Sequence, residues 1–73
     1  MDTMATEIVF VVEEDPEGGF VARAVGEGIH TQADDMAGLR SAVRDAVKCH
    51  FHKAKTRPRA IRLHLVRDEV ISA

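Results

Sequence analysis

Cys49, His50 and His52, in the run CHFH, are the side chains best suited to chemistry in this 73-residue sequence. On a helix, Cys49 and His52 stand at i and i+3 and could reach one ion together, whereas His50 projects about 100° round the axis. Zinc needs about three or four protein ligands, so His64, His30 or a second subunit would have to complete the set. That shortage favours histidines satisfied within the fold, His50 being partly buried on the apolar stripe. Nucleophilic catalysis would require a base within hydrogen-bond reach of Cys49 and donors for an oxyanion. A mid-helix cysteine also lies far from the helix N-terminus that would activate its thiol. No catalytic, cofactor or metal site is expected from these residues.

Glu13, Glu14, Asp15 and Glu17 form a second cluster. A magnesium site draws carboxylates from separate elements, while these four are bunched at one turn and read as solvated corner charges. A third set is basic: Arg40, Arg44, Lys48 and Lys55, with Phe51, share one helix flank. Like charges at i, i+4 cost a few tenths of a kcal/mol each. The flank is therefore self-repelling unless an acid meets it: the chain's own acidic half, an acidic partner or nucleic acid. With Phe51 the one aromatic beside it, and no Trp or Tyr in the chain, a base-stacking platform is poorly supported. A nucleic-acid-binding module using this flank is the alternative to a protein-binding one.

Charge follows the same division. Residues 1–37 hold nine acids and one base, Arg23; residues 38–73 hold nine bases and three acids, for a net charge of −2. Local fields of this kind steer association more than the total does. With 45% apolar residues the chain is of globular composition and is expected to form one domain over 1–73. A lone cysteine without a secretory leader suggests a reducing, cytoplasmic setting, and no apolar run approaches the length of a membrane span.

These side chains need elements to place them. Met1–Ala5 reads as a frayed start. TEIVFVVEE, residues 6–14, is β-branched and apolar on both faces: Ile8, Phe10 and Val12 on one, Val9 and Val11 on the other. That pattern marks a central strand. DPEGG supplies a hairpin corner, with Pro16 fixing its own φ and Gly18 and Gly19 free to take positive φ. FVARAV (20–25) is the second strand and IHTQ (29–32) a short edge strand. ADDMAGLRSAVRDAVKCHFHKAK, residues 33–55, predicts a helix of five or six turns, N-capped by Asp34 or Asp35. Its stripe is Met36, Leu39, Val43, Ala46, Val47, His50 and Ala54, with Lys53 and Lys55 at the C-terminal end and Pro58 as the stop. AIRLHLV (60–66) closes the series, Ile61, Leu63 and Leu65 inward, Arg62 and His64 outward.

The order β-β-β-α-β predicts an α+β fold of two layers. A helical crossover makes the last strand parallel to its neighbour, and the first strand is the natural neighbour, giving a mixed sheet of order 3-2-1-4. One helix can shield one face. Val9, Val11 and Val21, joined by Val25 and Val66, occupy the other. Such a patch marks an interface, so a homo-oligomer (dimer or higher) or a protein partner is expected to bury it.

EGGFVARA, the glycine break, HTQAD and the amphipathic helix together resemble the HicB-like antitoxin domain, over roughly residues 7–50. The matching positions are Gly18, Gly19, Phe20, Ala22, Gly26, Thr31, Asp34 and Asp35. Ala33 stands where the family often has glycine. The C-terminal DNA-binding module that many such antitoxins carry has no counterpart after Pro58, so operator binding is not carried over. The resemblance implies a truncated RNase H-like sheet and a HicA-like RNase toxin as a candidate partner, neutralised by covering its active surface.

Overall fold

The structure, a computed structural model, describes residues 7–73; the frayed start expected at Met1–Ala5 and the first residue of the expected strand lie outside the described residues. The elements are β1 (Glu7–Glu14), β2 (Phe20–Ala24), β3 (His30–Ala33), α1 (Met36–His50), a 3-10 turn (Ala54–Thr56) and β4 (Ala60–Val66). The sheet runs β3-β2-β1-β4, with β1 parallel to β4 and the other pairs antiparallel. Architecture and strand order are those the sequence predicts.

The first corner holds by its own hydrogen bonds. The Asp15 amide donates to the Gly19 carbonyl and the Gly18 amide to the Asp15 carbonyl, each at 2.9 Å. Asp15 Oδ1 also accepts from the Glu17 amide at 2.9 Å. Gly18 and Gly19 have φ of 108° and 84°, which an L side chain adopts at a cost. At Gly19 a second constraint operates, since a Cβ there would lie 2.7 Å from the Ala33 carbonyl oxygen. The paired glycine thus turns the chain and lets β3 approach β2.

One face of the sheet and one side of α1 form the core. Ile8, Phe10, Val12, Ala22, Ala24, Ile29, Leu39, Val43 and Val47 are buried, and no polar side chain is buried among the described residues. Phe20, Ala33, Met36, Ala46, Phe51, Ile61 and Leu63 ring this cluster, partly buried. Ile29 enters the core just before β3, so the third strand begins one residue later than the apolar pattern suggests.

The helix is shorter than expected: 15 residues, about four turns. Asp35 is its N-cap, its Oδ1 accepting from the Gly38 amide at 2.7 Å. At the other end Phe51 leaves helical geometry (φ −111°, ψ 70°). Arg57 then donates from Nε to the Phe51 carbonyl at 3.0 Å and from Nη2 to the His52 carbonyl at 3.3 Å. These bonds satisfy acceptors that a helix terminus leaves open. Lys48 and His50, rather than Lys53 and Lys55, therefore occupy the last turn.

Candidate interaction surfaces

The sheet face away from α1 is organised by strand register. Gln32, Val21, Glu13 and Val66 form one cross-strand row, and His30, Arg23, Val11 and His64 form the next. Val9 lies between Arg62 and Val25, whose amide donates to the Val9 carbonyl at 2.9 Å. The face thus interleaves valines with polar side chains: Glu13 separates Val21 from Val66, and Arg23 and His64 flank Val11. Two ion pairs lie on it: Arg62 Nε to Glu7 Oε2 at 2.7 Å on the β1–β4 side, and Arg23 Nη1 to Glu13 Oε2 at 3.8 Å, which crosses between Val11 and Val21. Val9, Val11 and Val21 are half-buried within the single chain, while Val25 and Val66 are exposed. The chain's own strands thus shield the three central valines more than a bare face implies. Val11, Val21, Arg23, His30 and Gln32 line a shallow basin of about 460 Å³.

The opposite layer is less complete than one helix per face suggests. α1 packs closest to β3 and β2, and the inward side of β4 stands at the margin. Ile61 and Leu63 are half-buried there, and Leu65, expected in the core, is 56% exposed. The reason is dimensional. A helix with side chains is about 10 Å across, whereas four strands at about 4.8 Å spacing span about 14 Å between the outer axes. A trough remains between α1 and β4. One hollow of about 250 Å³ is lined by Arg40, Val43, Arg44, Ile61 and Leu63. The next, about 330 Å³, extends past Val47, Lys48, Pro58 and Arg59.

Arg40, Arg44 and Lys48 are exposed along this trough. No carboxylate pairs with them among the described residues; the one first-half acid that meets an arginine of the second half is Glu7, with Arg62. Phe51 departs from the expected flank, because it caps the helix and packs on the core's rim, its ring edge-on to His50 at 4.8 Å. His50 departs from the expected stripe. It is exposed, with Nε2 3.1 Å from Glu27 Oε1. Ala54, placed on the same stripe, is exposed in the 3-10 turn beyond the helix. Cys49 is an exposed free thiol. His52 falls after the helix ends, so the i, i+3 spacing no longer places the two on one helical face. Among the described residues, no three His, Cys, Asp or Glu side chains lie together as a metal cluster.

The C-terminal segment after β4 is a further exposed apolar feature. Val70 is 96% exposed and Ile71 77%, both beyond β4 and outside any strand. The signal was present in RDEVISA, where two branched apolar residues follow two acids.

Fold and surfaces define a small α+β domain: a four-stranded mixed sheet with one helix and two incompletely covered apolar regions. The chain belongs to the UPF0150 family. It is 35% identical over 66 residues to a UPF0150 protein of Thermotoga maritima, covering 90% of this chain and 91% of that one. It is 44% identical over 48 residues to a UPF0150 protein of Archaeoglobus fulgidus, covering 66% and 71% respectively. No family model matches the chain, and no solved structure matches it. No helix among the described residues is long and apolar enough to cross a membrane.

Proposed function

We propose that this protein acts by binding rather than catalysis, as a HicB-like antitoxin domain or an oligomeric regulator derived from one. The observation that carries the reading is the valine-centred sheet face. Val9 and Val11 are neighbours on β1, Val21 is diagonal to Val11 on β2, Val66 lies across Glu13 on β4, and the Arg23–Glu13 and Arg62–Glu7 pairs are set among them. Branched apolar side chains mixed with charged ones, on a face the helix leaves uncovered, suit a non-obligate protein interface, which is about as polar as the rest of a protein surface. For a HicA-like RNase the mechanism is steric: the face seats on the toxin's active surface and excludes RNA, with no bond made or broken by this chain. Metal and cofactor have no part in it.

The test is inhibition. The protein is titrated into a reaction in which a HicA-like RNase cleaves RNA, and cleavage is followed on a gel. Wild type is expected to stop cleavage at stoichiometric ratio, and Val11→Asp with Val21→Asp to lose that effect while keeping the wild-type circular dichroism spectrum. Equal inhibition by both would remove the sheet face from the mechanism. The flank of Arg40, Arg44 and Lys48, exposed and without an ion pair among the described residues, supports the second reading, nucleic-acid binding. Affinity for RNA or DNA falling steeply with salt would favour it.

A further inference from the structure

β4 is an edge strand, bonded to β1 on one side and to nothing on the other among the described residues. Free edges present unpaired N–H and C=O groups that invite another strand. Directly after β4, Arg67–Ala73 carries two acids and two exposed branched apolar residues. The trough beside β4 offers the complement, with an apolar floor of Ile61 and Leu63 and a basic wall of Arg40 and Arg44. We propose that two copies of this chain exchange C-terminal segments, Arg67–Ala73 of each adding as an antiparallel strand to β4 of the other. This goes beyond the toxin-directed reading and uses chiefly the free edge of β4 and the helix-side trough, meeting the sheet face at Val66.

Side-chain parity and charge select one register. Residues opposite each other across an antiparallel pair share a face, and a one-residue slip would turn every side chain over. A two-fold axis at Val66 sets Ile71 of the second copy against Ile61 and Glu69 of the second copy against Leu63, both on the helix side. There Glu69 enters the hollow lined by Arg40 and Arg44, and Ile71 enters the one walled by Val47 and Pro58. On the outer face Asp68 of the second copy lies opposite His64, and the two Val66 side chains meet at the axis. Shifting the axis one residue further on sets Asp68 against Val66 and Glu69 against Leu65, away from the basic wall. The acids of the tail and the acid-free flank of α1 thus meet in the first register only.

Three measurements test this on the full chain. Sedimentation equilibrium should give a dimer for wild type, and Val70→Asp with Ile71→Asp should raise the dissociation constant at least about a hundredfold, given the apolar area each side chain loses. Both positions are exposed in the single chain, so the variant should still fold with a cooperative melt. Glu69→Lys and Arg44→Glu should each weaken the dimer, and the two together in one chain should restore it. In a Cys49→Ser background, Val66→Cys should form an intermolecular disulfide, because residues on the axis lie within the Cα separation a disulfide spans, while His64→Cys should not. A wild-type monomer would overturn the proposal, including the case in which each tail folds onto its own chain. So would a dimer that survives the Val70 and Ile71 changes but dissociates with Val11→Asp and Val21→Asp, which would give the contact to the sheet face. Loss of toxin inhibition with an intact dimer would count against the functional reading alone.

Discussion

Gly19 and Gly26 permit a controlled measurement of what the hairpin corner requires. Both have φ of 84°, so alanine at either meets a similar positive-φ penalty. They differ in surroundings: a Cβ at Gly26 has nothing within 4 Å, and one at Gly19 meets the Ala33 carbonyl oxygen at 2.7 Å. Alanine at positive φ costs about 1–2 kcal/mol, partly offset by the reduced entropy of the unfolded chain, which is common to both sites. At Gly19 the Ala33 carbonyl must also retreat by several tenths of an ångström. Ala33 is paired with Phe20 at the end of the β2–β3 ladder. Weakening one or two ladder hydrogen bonds there adds about 1–2 kcal/mol. Gly26→Ala is therefore expected to cost about 1 kcal/mol and Gly19→Ala about 2–3 kcal/mol. For a domain this small those losses correspond to Tm decreases of about 4–8 °C and about 10–20 °C. The assay is thermal or urea unfolding of both variants, followed by circular dichroism at one protein concentration. Equal destabilisation of the two would refute the carbonyl contact and leave φ as the whole requirement.

Other changes have simpler expectations. Asp35→Ala removes the acceptor for the Gly38 amide and should cost about 1 kcal/mol in urea unfolding, while Asp34→Ala should cost a few tenths, which separates the cap from its neighbour. Leu39→Ala opens a cavity at a fully buried position and should cost about 2–5 kcal/mol, much of the stability of a domain this size, read as loss of the cooperative melt at moderate temperature. Cys49→Ser at an exposed site should change unfolding by less than about 0.5 kcal/mol, and added zinc should leave the Tm of both proteins alike; a zinc-dependent rise in wild type alone would reopen the metal reading.

Much of the fold was legible from local patterning. Alternation in IVFVV and AIRLHLV identified the strands and their inward residues, because side-chain direction along a strand has period two whatever the strand packs against. DPEGG identified the corner, since proline and glycine restrict or free φ by covalent structure alone. The crossover requirement then left the order 3-2-1-4 as the natural arrangement. Helix length was misjudged because Arg57 bonds to carbonyls six and five residues back, a contact that composition does not announce. His50 kept its helical spacing within the stripe but is the last residue of α1, and exposure there depends on where the sheet ends.

The amino-acid order by itself determined the elements, the direction of their apolar faces, and the separation of acidic from basic halves. Only the tertiary structure decided how those faces are covered. One helix shields less width than four strands present, so its position over β3 and β2 leaves Leu65 and the inner side of β4 at the margin. It also leaves Arg40, Arg44 and Lys48 beside that margin, unpaired with any acid among the described residues. Coverage is a property of areas and separations between distant segments, and local sequence spacing carries no measure of either.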